Sequence, residues 1–191
     1  MCGYDGSTRV DKIDYITIAT PGNAADFGDM GTDVNEGSGV NDNTYAVHTG
    51  GYGQSASSKI NEMRYITMAT LGNGTDFGDL DYALNSHGSA GDATRGVTAG
   101  GHSGASNYTS AMDYITISTP GNSTDFGSLS VGRTECDGAG DGTYACFAGG
   151  YTGSGSNVID RITVQTPGNA ADHGDLTQAG SYTATCSGNA A

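Results

Sequence analysis

Apolar residues in this chain come in short alternating runs that recur at a nearly fixed interval. Ile13-Asp14-Tyr15-Ile16-Thr17-Ile18 matches Met63-Arg64-Tyr65-Ile66-Thr67-Met68, Met112-Asp113-Tyr114-Ile115-Thr116-Ile117 and Ile159-Asp160-Arg161-Ile162-Thr163-Val164. Each run is rich in β-branched and aromatic residues and changes character every second position, which predicts a strand with two distinct faces. Thr-(Pro or Leu)-Gly-Asn follows in all four copies, a turn in which Pro fixes φ while Gly and Asn tolerate positive φ. Next comes Asp26-Phe27-Gly28, repeated as Asp76-Phe77-Gly78, Asp125-Phe126-Gly127 and Asp172-His173-Gly174. This predicts a second short strand with one large anchor per unit. Both elements repeat at spacings of 50, 49 and 47 residues.

A third strand is expected upstream, at Tyr45-Ala46-Val47, Gly96-Val97-Thr98-Ala99 and Tyr144-Ala145-Cys146-Phe147-Ala148, each ending in Gly-Gly. A fourth strand and its hairpin turn belong in the remaining stretch, such as Leu129 to Gly142. No 3.6-residue period appears, so no helix is predicted. Four strands in about 48 residues, one of them closing on Gly-Gly, resemble a Kelch-type propeller blade. The fold expected is all-β, a four-bladed β-propeller forming a single domain over residues 1–191. Its internal blades are 30–79, 80–128 and 129–175, and a fourth blade is split between 1–29 and 176–191, as propellers do to hide edge strands. Joined end to end, the split blade is shorter than the others, so either a strand is trimmed or the ends pair with another molecule.

Composition makes this periodicity decisive. Glycine is 33 of 191 residues, and Leu, Ile, Val and Phe together are only 26, a level at which disorder is the default expectation. Regular placement of those few apolar residues argues instead for stacked repeats that share a core. The net charge of −14 repels phosphate and disfavours nucleic-acid binding. No secretory leader is visible at Met1 to Asp5, and no apolar run approaches the length needed to cross a bilayer.

The segment Tyr15 to Asp29 and its three copies resemble the Gly-rich, Kelch-like repeats of virion structural proteins of tailed phages, especially aquatic ones. The resemblance covers essentially the whole chain. It implies an appendage, tail-fibre-type or particle-surface role, in the virion or outside the cell, and brings no catalytic residues. Arg161 for the strand Tyr, His173 for the Phe and Leu71 for the Pro are departures within single copies.

Little other chemistry is legible. Cys136 and Cys146 flank a hairpin and Cys2 and Cys186 lie in the two halves of the split blade, so disulfides Cys136–Cys146 and Cys2–Cys186 and four free thiols both stay open. Neither the cysteines nor His48, His87, His102 and His173 have a metal-site spacing. Asp26, Asp29, Asp76, Asp79, Asp172 and Asp175 recur in Gly-rich loops and are candidate Ca²⁺ ligands, the alternative being turn capping. Three Asn-x-Thr sequons, at Asn73, Asn107 and Asn122, are near chance in so Ser/Thr/Asn-rich a chain. Asp-Phe-Gly stands without the other parts of a kinase. Tyr52, Tyr108 and Tyr151 are candidate glycan contacts, the alternative being packing between blades. The function expected is a non-enzymatic virion structural protein, with other structural proteins, copies of itself or a host-surface glycan as partners, and with no cofactor. The alternative is a subunit of a cellular extracellular filament or adhesin assembled through its end strands.

Overall fold

A computed structural model describes residues 3–55, 57–104 and 107–181. Unit 1 contains β1 (Gly3–Tyr4), β2 (Arg9–Val10), β3 (Lys12–Tyr15) and β4 (Ala25–Asp29). Unit 2 contains β5 (Val34–Asn35), β6 (Ser38–Asn41), β7 (Tyr45–Gly53), β8 (Ser58–Thr67) and β9 (Thr75–Asn85). Unit 3 contains β10 (Gly88–Gly91), β11 (Arg95–Ala99), β12 (His102–Ser103), β13 (Asn107–Tyr108), β14 (Ala111–Thr116) and β15 (Thr124–Ser128). Unit 4 contains β16 (Asp137–Gly140), β17 (Tyr144–Ala148), β18 (Ser156–Thr163) and β19 (Ala171–Gly180). All pairings are antiparallel, and units 2 to 4 are each an up-and-down sheet, in the orders β6-β7-β8-β9, β10-β11-β14-β15 and β16-β17-β18-β19. Every strand expected from the repeat is present in those three units.

Unit 1 holds only the outer part of such a sheet, with β3 paired to β4 and β1 to β2. A groove of about 600 Å³ opens beside it, lined among others by Ile13, Met30, Ala46, Ile66 and Met68. Leu176–Gly180 continue β19, as Leu80–Asn85 continue β9. Residues that align with a first strand fall beyond Ser181, outside the described residues.

The core lies between sheets rather than within one. Ile13, Phe27 and Met30 on the front of unit 1 pack against Ile66 of unit 2. Val47, Met63, Phe77 and Leu80 on the front of unit 2 meet Ile115 and Ile117 on the back of unit 3. Val97, Met112, Phe126 and Leu129 of unit 3 meet Ala145, Phe147, Ile162 and Val164 of unit 4. Front and back of each strand thus bury different partners, which is why alternation is so regular with so few apolar residues.

The Asp-Phe-Gly motif fastens these layers. In each pair of outer strands the register slips by one residue at this motif: Ile13 faces Gly28 but Asp14 faces Asp26, and the other units repeat the slip. The Phe is therefore the extra residue of a β-bulge, and its carbonyl is released from the ladder. The next unit's turn uses it. Gly72, Gly121 and Gly168 N–H donate to the carbonyls of Phe27, Phe77 and Phe126 at 2.9, 2.6 and 2.6 Å. Gly74, Ser123 and Ala170 N–H donate to Asp29, Asp79 and Ser128. In return, the N–H groups of Asp29, Asp79 and Ser128 donate to Oδ1 of Asn73, Asn122 and Asn169. Gly28, Gly78 and Gly127 hold φ of 150°, 132° and 137°. A Cβ on any of them would come within 2.4–2.5 Å of the docked glycine's carbonyl oxygen, so only glycine fits.

Close approach between the inner strands is carried by glycines of β16 and not by the Gly-Gly pairs. A Cβ on Gly138 or Gly140 of β16 would lie 2.6 Å from the carbonyl oxygen of Ser89 or Gly91 in β10. The Gly-Gly pairs instead pack under the loops that enter the inner strands, Gly51 against Asn35 and Gly150 against Thr134.

Candidate functional site

The inner strands β6, β10 and β16 line a polar groove of about 520 Å³ with Asn41, Asp42, Ser89 and Asp92 at its rim. Its acids are engaged locally. Asp42, Asp92 and Asp141 each accept the N–H groups two and three residues on, closing the first hairpin of units 2, 3 and 4. Asp5 does the same in the β1–β2 turn. Backbone bonds from Tyr144 and Thr143 hold the Asp141 carboxyl below its ordinary range. Burial opposes the charge on Asp92, but the Gln165 amide and the Arg95 and Thr94 N–H groups outweigh it and hold its pKa down too. These carboxylates are turn caps.

The predicted calcium ligands are spread singly or in pairs along the arc. Asp76 and Asp172 cap Gly78 and Gly174, and Asp29 bonds Lys12 at 2.5 Å. Asp29 and Asp79 also lend their backbones to the junctions described above. Among the described residues no three His, Cys, Asp or Glu side chains gather at metal-binding distance.

The structure brings Tyr108 and Tyr151 together, edge to face at 5.6 Å, with His102 tilted against Tyr108 at 5.5 Å. Tyr52 lies at another junction, under the Arg9 guanidinium at 4.4 Å, with its hydroxyl donating to Ser57 O. All three tyrosines are half-buried, and each packs across a hairpin or between units.

The Cys136–Cys146 bridge is corrected. Asp137 pairs with Ala148 and Ala139 with Cys146, which puts the two cysteines three positions out of register and on opposite faces of the hairpin. Cys136 is buried, its thiol 3.6 Å from Ala99 O, and burial pushes its pKa up. The Cys2–Cys186 pair lies outside the described residues. Two sequon asparagines, Asn73 and Asn122, are the junction acceptors named above.

Buried Asp113, Arg133 and Asp160 were not singled out from the sequence. One register position, occupied by Arg64, Asp113 and Asp160 in successive units, is resolved differently each time. Arg64 bonds Thr32 and pairs with Glu62 at 2.5 Å. Asp160 pairs with fully buried Arg133 at 2.8 Å. Asp113 has no cation beside it and accepts from the Ser123 hydroxyl at 3.3 Å; burial, reinforced by the charge of Asp81, pushes its pKa up to about 6 against the pull of the Asp81 N–H and the Ser123 hydroxyl. Because the folded value exceeds the unfolded one, folding is penalised increasingly as pH rises from about 4 to 6, and fully above that. Asp113→Asn is expected to stabilise the chain by on the order of 2 kcal/mol at pH 8 and by little at pH 4, read as thermal midpoints at the two pH values.

His87 has the opposite sign. Burial, then His48, lowers its pKa to about 4, so its contribution is lost as pH falls from about 6.5 toward 4. Thr49 Oγ lies 2.9 Å from its Nε2.

Sheets stacked face to face around inner strands define an all-β, β-propeller-like protein. The fold is similar to the solved structure of YjhT, a Kelch-type propeller, with a TM-score of 0.79 and 11% identity over 97% of this chain and 69% of that one. At that identity the likeness is one of fold. No family model and no curated protein matches the sequence.

Proposed function

We propose that this chain is a non-enzymatic structural protein of a phage particle, a propeller module carried on an appendage or on the particle surface. Its four Kelch-like repeats are four blades. The observation that carries this reading is the use made of the recurring residues. Gly and Asn of the turn, and Phe and the residue after Gly in the bulge, are engaged in hydrogen bonds between neighbouring units, and the bulge Gly leaves room for that contact. A repeat whose signature residues are committed to assembly fits a building part.

Peptides of this chain should be recovered from gradient-purified virus particles of the sample that carries the gene, and antibody raised against it should mark an appendage or the particle surface in electron micrographs. Recovery from cell surfaces and not from particles would replace this reading by the second, an extracellular filament or adhesin subunit, which is favoured by the exposure of Ile16 and Ile18 at one end of the arc.

A further inference from the structure

The three internal junctions are built from two complementary halves, and each end of the arc presents one half without its mate. At the unit 1 end, Ile16 and Ile18 are 63% and 95% exposed, whereas their counterparts Ile115, Ile117, Ile162 and Val164 are buried against the preceding unit. The turn Pro21-Gly22-Asn23 beside them carries the same Gly and Asn as the docked turns of units 2 to 4. At the unit 4 end, His173 is the bulged residue, because Ile159 faces Gly174 and Asp160 faces Asp172. Gly174 keeps the φ of its counterparts, 124°, although no atom lies within 4 Å of where its Cβ would be. The surrounding front face also keeps its design. Arg161 stacks on Tyr144 at 4.8 Å, as Arg95 stacks on Tyr114 at 4.1 Å in unit 3 with the two residue types exchanged between strands. There the guanidinium also donates to Val164 O of the next unit.

We propose that the back of unit 1 docks on the front of unit 4 of a second copy of this chain, forming a head-to-tail junction of the internal kind. Gly22 N–H would donate to the His173 carbonyl, Ala24 N–H to Asp175 O, and Asp175 N–H to Asn23 Oδ1, while Ile16 and Ile18 cover Ile159, Tyr144 and Leu176. Among the described residues no core cluster joins units 1 and 4. A heterologous contact of this sort closes into a ring or runs on as a filament. It requires only a second copy, independent of where the protein is used.

Sedimentation velocity on the full chain over a wide concentration range tests the proposal. The wild type should associate with rising concentration. Ile16→Glu with Ile18→Glu, at positions exposed in the single chain, should weaken association at least tenfold, with an unchanged circular dichroism spectrum. Gly174→Val should do the same from the other end, and Arg161→Glu serves as a second variant there should Gly174→Val not fold. Mixing the two kinds of variant restores one good junction, so dimers and nothing larger should form. A wild type that stays monomeric at all concentrations, closed by its own residues or by another partner, overturns the proposal. So does association that survives both end variants, or a mixture that stays monomeric.

Discussion

Gly78→Ala is expected to destabilise the chain by about 4 kcal/mol, enough to remove much of the stability of a small domain. Two causes add. An L-residue held near φ 132° is strained by about 1–2 kcal/mol. A Cβ there would stand 2.5 Å from the carbonyl of Gly121, so unit 3 must lift off the Phe77 carbonyl, with loss of packing and backbone bonds worth about 1–3 kcal/mol. Gly174→Ala is the internal control. It occupies the same motif position at φ 124° but meets no atom within 4 Å, so in dilute monomer only the strain remains. Urea unfolding of both variants at low concentration measures the junction as their difference. Equal losses would mean that the bulge glycine matters only for its backbone angle.

Replacing Arg133 by Leu should cost about 3–5 kcal/mol. Leu84 and Val34 occupy the same position in the two preceding copies of the repeat and are buried, so the site itself accepts an apolar side chain. What Leu removes is the partner of Asp160. Both members of the pair are fully inaccessible, and Arg133 also donates to Phe147 O at 3.0 Å. The remaining charge of Asp160 would keep only the Ser130 N–H, at 3.1 Å, far too little to replace its lost hydration. Arg133→Leu with Asp160→Leu should recover most of the loss, because a buried ion pair exchanged whole for apolar groups is often neutral or stabilising. The four-member comparison by chemical denaturation decides the matter. A single variant that loses less than about 1 kcal/mol would show that water reaches the site.

The strand pattern, the anchors Phe27, Phe77 and Phe126, and the turns between them were legible because each depends on a few adjacent residues. Of the acids read either as calcium ligands or as turn caps, Asp76 and Asp172 accept the N–H groups two residues on, from Gly78 and Gly174. Cys136 and Cys146 misled because flanking a hairpin says nothing of register, and a three-residue offset puts them on opposite faces. Arg133 carried a faint signal, a cation at a repeat position held elsewhere by Leu84 and Val34, that only the alignment of copies could expose. The junction roles of Asn73, Asn122 and Asn169 carried none, since each accepts from a residue 41 to 44 positions away.

By itself the sequence determined that this chain is a stack of alternating strand units, since alternation, turn chemistry and a near-constant spacing are properties of local backbone. Only the tertiary structure decided what the signature motif is for. The Phe carbonyl is released by a bulge and filled by the next unit's glycine, a partnership that exists only once two sheets lie face to face. It also decided where the series stops. Ile16 and Ile117 belong to the same repeated run, yet one is exposed and the other buried, because burial is set by the presence of a neighbouring sheet and not by the residue.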